Sequence, residues 1–297
     1  MIIIDYNHIV IANVMAELRG RADIPIEIDL LRHMVLNSFR GYKQKFSAEY
    51  GELVIACDNK NNWRKTIFEH YKASRKKNRD DSTIDWVSLY ACMDTLRNEL
   101  DQFFPYTVLQ IKQCEADDVI ATLAKWSQTN DLQETMFDEA SPKPLLIISR
   151  DSDFIQLQKY PNVKQYSPID KKWIKPNRSP ELDLYEKIIT GDQGDGIPNF
   201  LSDGDTFVTE GKRQKSVYQA KLEVWLTQQS KDFCTTEELK KNYERNQKLI
   251  SFDYIPAEIE ADIINTFVSQ PKKDRSQLLN YFIKNKLKNL VNEITTF

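Results

Sequence analysis

Short runs of aliphatic residues alternate along the first half of the chain with longer stretches of helical periodicity. The runs are Ile2–Ile4, Leu53–Ala56, Tyr106–Ile111 and Leu145–Ile148. Continuous apolar runs of this length suit strands that are covered on both faces, as in a parallel sheet. The stretches between them predict connecting helices, such as Trp86–Phe104, which Pro105 ends. The predicted fold is therefore α/β, a mostly parallel twisted sheet flanked by helices.

The pattern changes after about residue 166. Val163–Tyr166 and Lys172–Ile174 predict short strands at the edge of the sheet, and from Leu182 onward the periodicity is mainly helical. Residues 203–215 carry many charges and two glycines, which predicts an exposed loop. These changes predict an α/β domain of residues 1–183 and a smaller helical domain of residues 184–297.

Composition and missing motifs exclude several classes of protein. The 297 residues contain 41 Lys and Arg against 44 Asp and Glu, a formal charge of −3, so any contact with a polyanion must come from locally clustered cations. Neither a G-x-x-x-x-G-K-[ST] nor a G-x-G-x-x-G string occurs, which removes the fingerprints of P-loop ATPases and dinucleotide-binding dehydrogenases. The apolar N-terminus is interrupted by Asp5 and His8 and predicts a strand, not an export signal. Four cysteines without C-x-x-C spacing are typical of a reduced, cytoplasmic protein.

Acidic residues mark the points where the predicted strands end. They are Asp5, Asp58, the group Glu115, Asp117 and Asp118, and the pair Asp151 and Asp153. Parallel strands lie about 4.7–4.9 Å apart and end at one edge, so these side chains are expected within about 15 Å of one another. Carboxylates packed so closely raise each other's pKa unless cations lie among them. An all-carboxylate set without histidine suits Mg²⁺ or Mn²⁺, so the sequence predicts a metal site.

Each acid taken alone has a more ordinary explanation. A single Asp after a strand is usually a turn former or a helix cap, and acids in the first turn of a helix favour its dipole. Asp192 and Asp195 are further candidates for metal ligands, but their Gly- and Pro-containing string, residues 191–198, is by itself typical of a turn. Only the whole set predicts a metal site.

A strongly basic segment lies between the second and third predicted strands. Residues 60–79 contain eight Lys or Arg and one Glu, a formal charge of +7. Trp63, Phe68 and Tyr71 lie among these cations, which suits stacking on unpaired bases as well as contact with phosphates. A solvated helix face is the ordinary explanation of a charge run, but few acids balance this one, and Asp58 directly precedes it. Acids for a metal and cations for phosphate at one edge predict phosphodiester chemistry.

Six motifs, in order along nearly the whole chain, resemble those of the flap-endonuclease family of 5′-nucleases, and within it the phage ribonucleases H. They are Ile4-Asp5, Ala56–Asp58, Trp63-Arg64 with Tyr71–Arg75, Glu115–Asp118, Ser149–Asp153 and Gly191–Asp195. The resemblance implies a PIN-like nuclease core with a basic arch at about residues 60–85. It also implies a C-terminal domain with a helix-hairpin-helix-like motif around residues 184–201, which contacts duplex and partners.

The activity that the resemblance implies is that of a 5′-to-3′ exonuclease and flap endonuclease. It would hydrolyse RNA/DNA and DNA/DNA duplexes and remove RNA primers in lagging-strand DNA replication. Catalysis would use two Mg²⁺ ions, for which Mn²⁺ would substitute. The implied ligands are Asp5, Asp58, Glu115, Asp117 and Asp151 for one ion, Asp153, Asp192 and Asp195 for the other, and Asp118 shared or behind them.

Cations of the basic segment have implied roles toward the nucleic acid. Lys72 or Arg64 would stabilise charge on the scissile phosphate. The arch positions expected to hold the 5′ strand are Arg64, Tyr71, Lys72 and Arg75, together with Lys65, Lys76 and Lys77. The family's Gly-x-Gly turn after the hairpin acid is missing here, which puts its monovalent-cation site in doubt. Contact with duplex is therefore expected from Lys212, Arg213 and Lys215.

The implied partner is a branched or nicked duplex with a 5′ end or flap, joined by a single-stranded-DNA-binding protein and a polymerase clamp. A monomer without membrane contact is expected, in the host-cell cytoplasm if a phage encodes the chain. Two alternatives stay open. A PIN-type single-strand ribonuclease would need fewer acids and no long basic insertion after the second strand. A non-catalytic flap-binding module would use the acids only as helix caps.

Overall fold

A computed structural model describes residues 1–18, 26–134 and 140–297, without the side chains of residues 76–78. The strands in these ranges are β1 (Ile2–Asp5), β2 (Leu53–Cys57), β3 (Thr107–Gln110), β4 (Leu132–Glu134), β5 (Ala140–Pro142), β6 (Leu145–Ile148), β7 (Val163–Ser167) and β8 (Lys172–Ile174). Six of them form one sheet in the order β3-β2-β1-β6-β7-β8, and β4 and β5 form a separate hairpin. Every pairing in the large sheet is parallel except that of β7 with the edge strand β8. The predicted α/β fold is confirmed.

Helices cover both faces of the sheet and make up the C-terminal part. They are α1 (Tyr6–Leu18), α2 (Ile28–Tyr50), α3 (Arg64–Ile67), α4 (Ser74–Asp80), α5 (Trp86–Phe103), α6 (Ala116–Asn130), α7 (Pro180–Thr190), α8 (Gln219–Trp225), α9 (Ser230–Phe233), α10 (Glu237–Ile250), α11 (Ala257–Ser269), α12 (Leu278–Lys284) and α13 (Lys288–Val291). Short 3₁₀ turns occupy Ser152–Lys159, Phe252–Tyr254 and Ile294–Thr296. Within the described ranges, no helix combines the length and the apolar character that a membrane crossing requires.

The central strands are buried because alternate side chains enter two different cores. Ile2 and Ile4 of β1 point into a core shared with α1, α2, α5 and α12, whereas Ile3 points into one shared with α6 and α11. All three side chains are inaccessible to solvent. Burying an aliphatic side chain of this size contributes about 1.5–3 kcal/mol. These two cores fix the sheet and therefore the positions of its strand ends.

The helical part of the chain does not form one separate body. Residues 180–250 surround a third core, which includes Phe68 and Tyr71 from the basic segment. Residues 252–297 return to the sheet, where α11 packs on one side and α12 on the other. The predicted domain boundary at 183/184 falls inside α7, and the last helices complete the cores of the α/β part.

The hairpin implied around residues 184–201 is only partly helical. Its first helix is α7, and a tight turn follows in which Asp192 and Ile197 form a β-bridge. The next helix, α8, begins only at Gln219. Residues 203–215 contain no helix or strand, as predicted for an exposed loop.

The carboxyl ends of β1, β2, β3 and β6 lie at one edge of the sheet. β2 and β3 lie on one side of β1, and β6 lies on the other, so the sheet order reverses between β1 and β6. Open α/β sheets bind ligands in the crevice beyond such a reversal. Asp5 ends β1, and Asp151 follows β6 after two residues. The fold therefore places these two acids on either side of the crevice.

Candidate active site

Two adjoining cavities lie beyond the carboxyl ends of the strands. The larger is a cleft of about 810 Å³, and its lining includes Asp5, Asp58, Asp117, Asp151, Lys72 and Arg75. The smaller is lined in part by Asp117, Asp153, Asp192, Asp195, Arg64 and Tyr71. Asp117 lines both cavities. The structure thus brings the acids at the strand ends together with those of the hairpin turn.

Asp5, Asp58, Asp117 and Asp151 are here called the strand-end acids, and the first of them, Asp5, is held by neutral donors. Oδ1 of Asp5 accepts the backbone N–H of His8 at 3.1 Å, and its Oδ2 accepts the Ser149 hydroxyl at 3.3 Å.

Asp58 is held in the same way, by two donors. Its Oδ2 accepts the Asn7 side-chain amide at 2.7 Å, and its Oδ1 accepts the Ala116 backbone N–H at 2.8 Å. In the part of the chain that the structure describes, no strand-end acid forms an ion pair. Nearby cations such as Lys72 therefore act on their charge only from a distance.

Burial, without a paired cation, shifts the pKa values of three of these acids, Asp5, Asp58 and Asp117. Burial raises the pKa of Asp5 to about 7, and the negative charges of Asp58 and Asp151 add to the effect. Burial also raises the pKa of Asp58, and it raises that of Asp117 well above its usual range despite an opposing contribution from Lys72. A divalent cation among these oxygens would remove the cost of ionising them. The donor type, carboxylate oxygen alone, suits Mg²⁺ or Mn²⁺. No three of the strand-end acids bring oxygens within 4.8 Å of one another in this structure.

Asp153, Asp192 and Asp195 form a second acidic group. One carboxylate oxygen from each lies within 4.8 Å of the others, and no other such group of three occurs among the described residues. Lys187 of α7 forms ion pairs with Asp153 and, at 2.8 Å, with Asp192. Burial raises the pKa of Asp153 to about 7 even though Lys187 opposes the shift. This group could hold a second cation, and an ammonium group already lies against it.

Arg64 and Asp118 form a buried ion pair behind the acids. Nη2 of Arg64 donates to Asp118 Oδ1 at 2.8 Å, Nη1 donates to Glu115 Oε2 at 3.2 Å, and Nε donates to the Leu249 carbonyl at 3.0 Å. The Trp63 indole donates to the second oxygen of Asp118 at 3.1 Å. Asp118 is inaccessible to solvent and Arg64 is only 2% exposed. Three of the five guanidinium N–H groups are thus engaged inside the protein, and Arg64 does not line the larger cleft, so it is not placed to contact a phosphate there.

Glu115 lies among cations rather than among the strand-end acids. Lys72 Nζ donates to its Oε1 at 2.6 Å, and the Tyr71 hydroxyl lies 2.9 Å from its Oε2 and 2.8 Å from Asp195 Oδ2. Burial alone would raise the pKa of Glu115, but Lys72 and Arg64 outweigh it and lower that pKa. Burial would likewise raise the pKa of Asp195, but Lys72 and Arg75 outweigh it and lower that pKa.

The aromatic residues of the basic segment are core residues. Trp63, Phe68 and Tyr71 are 5%, 8% and 2% exposed and belong to the hydrophobic cores of the protein. The prediction that they stack on unpaired bases is therefore wrong. In this position they anchor the segment to the rest of the protein.

Backbone contacts join the basic segment to the hairpin turn. The Lys72 backbone N–H donates to the Asp195 carbonyl at 2.8 Å, and Lys72 itself has a φ of +56°. Gly196 has a φ of +73°, and a Cβ there would lie 3.1 Å from the His70 carbonyl oxygen. At Gly191 the crowding is greater, because a Cβ would lie 2.4 Å from the Ile197 carbonyl oxygen. The turn that carries Asp195 is therefore closely fitted to the segment that carries Lys72.

The other predicted nucleic-acid contacts lie elsewhere. Lys65, Arg213 and Lys215 are exposed, and Lys212 is paired with Asp205 at 2.7 Å. None of them lines either cavity. The predicted contacts of Lys76 and Lys77 fall on side chains outside the described part of the chain.

Sequence reasoning missed Lys187 and Asn7. Lys187 lies in the last turn of α7, and nothing in its spacing distinguishes it from a solvent-facing lysine. Asn7 follows Asp5 by two residues and orients Asp58, which lies 51 positions away. The sequence signals a role for these two residues only through their proximity to an acidic motif.

We expect the metal-free protein to lose stability as the pH rises from 5 to 7. Asp5 and Asp153 have a folded-state pKa of about 7 against an ordinary value of 3.8, so the folded state binds more protons in this interval. Stability is then highest below the ordinary pKa and is lost as the pH passes through 7. At about 1.4 kcal/mol per pH unit and group, the loss amounts to a few kcal/mol.

Thermal unfolding in EDTA at pH 5, 6, 7 and 8 measures this effect. Added Mg²⁺ should raise the melting temperature most at pH 7 and above, where the acids are charged. A melting temperature that climbs with pH in EDTA would contradict the assignment of raised pKa values.

Comparisons with known proteins cover nearly the whole chain. Residues 11–183 match the model of the 5′–3′ exonuclease N-terminal resolvase-like domain, and residues 178–297 match that of the C-terminal part of T4 RNase H. The ribonuclease H of Enterobacteria phage T4 is 34% identical over 303 aligned positions, which span 99% of this chain and 95% of the phage protein.

Solved structures of a phage T5 protein share the fold. One, co-crystallised with metal ions, aligns with a TM-score of 0.59 at 15% identity and covers 89% of this chain and 98% of its own. Another, a T5 flap endonuclease in complex with DNA and metal ions, aligns with a TM-score of 0.57 at 16% identity and covers 90% of this chain and 99% of its own.

Proposed function

Because the chain belongs to the family of 5′–3′ exonucleases that includes the ribonuclease H of phage T4, we propose that it is a divalent-metal-dependent 5′-to-3′ exonuclease and flap endonuclease. Its substrates are RNA/DNA and DNA/DNA duplexes with a 5′ end or flap. Its biological task is the removal of RNA primers during lagging-strand DNA replication. Family membership confirms the resemblance on which the sequence-based prediction rested.

The strand-end acids carry this proposal. They are four carboxylates at the rim of one cleft, without a cationic partner in the described ranges, and Lys72 and Arg75 line the same cleft. Anionic oxygens and cations in one cleft suit the binding of a phosphodiester together with divalent ions. Helix caps alone would not require acids with raised pKa values, and this favours a catalytic site over a purely binding module.

The strand-end acids would hold one Mg²⁺, and Asp153, Asp192 and Asp195 would hold the other. Two such ions supply a water activated for attack and neutralise charge on the phosphate oxygens. Asn7 and the Ala116 N–H fix the orientation of Asp58 toward the cleft. His8 also lines the cleft, but its Nε2 accepts the Arg150 backbone N–H at 3.3 Å, so the ring does not offer a free general base.

Lys72 and Arg64 have different tasks in this proposal. Lys72 lines the cleft and is the cation that contacts the scissile phosphate. Arg64 is a positioning residue, because its buried guanidinium holds Asp118 and Glu115 at the start of α6. The proposed partners are a single-stranded-DNA-binding protein and a polymerase clamp. The protein is proposed to act as a monomer in the cytoplasm.

A 5′-labelled flap duplex, incubated with and without Mg²⁺, tests the proposal. Size analysis should show products cut at or near the junction of flap and duplex, in the presence of Mg²⁺ only. Degradation of single-stranded RNA without action on the flap would favour the PIN-type ribonuclease. Flap binding without cleavage, and without uptake of Mg²⁺ in calorimetry, would identify a binding module.

A further inference from the structure

A basic and aromatic surface lies at the β8 edge of the sheet. Its members are exposed lysines and one tryptophan, and it is here called the edge patch: Lys45, Lys164, Lys171, Lys172, Trp173 and Lys175. Trp173 is 44% exposed although it lies in a strand. A half-exposed indole among lysines is the combination that binds unpaired nucleotides, with bases on the ring and phosphates on the cations.

The indole of Trp173 is held in a fixed position. Its ring packs edge-on against Phe46 of α2, with centroids 5.8 Å apart, and against Tyr166 of β7, with centroids 5.5 Å apart. Tyr166 lies directly opposite Trp173 in the antiparallel pair of β7 and β8. A ring that is already ordered loses little conformational freedom when a base stacks on it.

Lysines surround this ring on the same side of the sheet. Lys164 Nζ lies 5.9 Å from the centroid of the Trp173 ring. Lys45 Nζ lies 4.2 Å from the centroid of Tyr166 and donates to its hydroxyl at 2.8 Å. Both ammonium groups are thus placed beside the aromatic surface, where phosphates on either side of a stacked base would lie.

The charge of the edge patch is not cancelled by its own acids. Glu49 lies 3.3 Å from Lys164, and among the described residues it is the one acid in an ion pair with a patch lysine. Asp170 is engaged by Arg150 at 3.3 Å and by the Ser167 hydroxyl at 2.7 Å. Five lysines with one paired carboxylate form a local positive surface on a chain with a net charge of −3.

The edge patch is continuous with the cleft of the strand-end acids. Pro168, Ile169 and Lys171, in the turn between β7 and β8, line that cleft. Lys171 ends this turn two residues before Trp173, so the two Cα atoms are at most about 7 Å apart. A single strand that leaves the cleft past Lys171 therefore has the Trp173 indole within reach.

We infer that the edge patch binds the unpaired strand of the nucleic-acid substrate where it leaves the cleft. A base stacks on Trp173, and Lys45, Lys164 and Lys171 contact the adjoining phosphates. The contact is independent of sequence, because every base offers a face to stack. This inference rests on the proposed function for the identity of the ligand. It assigns to the sheet edge the stacking role that the buried aromatic residues of the basic segment cannot perform.

Binding of flap duplexes with a short and a long single-stranded 5′ arm, in metal-free buffer, tests the inference. The unchanged protein should bind the long-armed duplex more tightly. Trp173→Ala should weaken that binding by about 5- to 100-fold, the effect of losing one stacked base, and leave the short-armed duplex unaffected. Trp173→Phe should restore part of the affinity. Lys164→Ala should reduce the dependence of affinity on salt by about 0.7 units of slope, the value for one phosphate of a single strand.

Matched controls come from other exposed positions. Tyr218→Ala removes an aromatic residue that is 66% exposed, and Lys284→Ala removes an exposed lysine of α12. Both should bind the two duplexes as the unchanged protein does. A Trp173→Ala protein with the unchanged preference for the long arm, or an unchanged protein without any such preference, would overturn the inference. The two proposals can fail separately. If the unchanged protein does not cleave with Mg²⁺ but Trp173→Ala still loses the preference for the long arm, the nuclease proposal is overturned and the edge-patch inference stands.

Discussion

Asp151→Asn should lower the rate of Mg²⁺-dependent flap cleavage by more than about 100-fold, because even residues behind a metal's direct ligands cost 10- to 100-fold when replaced. The fold should survive the change. Asp151 caps the 3₁₀ turn that follows it by accepting the Asp153 N–H at 2.9 Å, and Asn can accept the same bond. Binding of the flap duplex in metal-free buffer should therefore stay close to that of the unchanged protein. Single-turnover cleavage and equilibrium binding measure the two effects separately.

Asp253→Asn is the matched control for this substitution. Asp253 is a well-exposed residue that pairs with Lys159 at 2.8 Å and lines neither cavity. Its replacement should leave cleavage and binding unchanged. Full cleavage by the Asp151→Asn protein would remove Asp151 from the metal site, and equal losses in both variants would point to a general effect of charge.

Arg64→Met should destabilise the protein by about 3–5 kcal/mol, the usual cost of leaving one partner of a buried ion pair without the other. Asp118 would keep the Trp63 indole at 3.1 Å but lose its only cationic partner among the described residues. The methionine also gives up the bond to the Leu249 carbonyl, which ties α3 to α10. Urea denaturation at pH 7 should show a lower midpoint with a similar slope.

Two further variants separate the buried pair from charge in general. Arg178→Met removes an exposed ion pair with Glu223 and should leave the midpoint nearly unchanged. Arg64→Met combined with Asp118→Asn should recover part of the loss, since the uncompensated charge is gone. Equal midpoints for Arg64→Met and the unchanged protein would show that the buried pair contributes no stability.

The local hydrophobic pattern of the sequence was sufficient to predict the central elements of the fold. The aliphatic runs at Ile2–Ile4 and Leu145–Ile148 became β1 and β6 because only strands covered on both faces accommodate such runs. Pro105 ended the predicted helix close to the observed last residue of α5, Phe103. Helix α1 was not predicted separately, because it is apolar on most of its surface and follows β1 without a break. Periodicity cannot divide an apolar stretch into a strand and a buried helix.

The candidate site was predictable where it depends on strand ends and not where it depends on long-range contacts. Asp5 and Asp58 could be placed at one edge because parallel strands end together. The pairing of Arg64 with Asp118 joins residues 54 positions apart, and no periodicity indicates it. Lys187 reaches Asp153 from another region of the chain, so its role appears only after α7 is packed. Charge patterns locate acids and cations, but packing decides which of them neutralise each other.

The crowding at Gly191 sets a limit on how this protein could be redesigned. Residue 191 has a φ of +74°, and any side chain there would collide with the Ile197 and Pro198 backbone. A randomised library aimed at a new metal preference can therefore vary Asp192 and Asp195, but it must keep glycine at residue 191. A substitution at residue 191 would reposition both carboxylates at once, and a screen would score it as a loss of ligands although every ligand was still encoded.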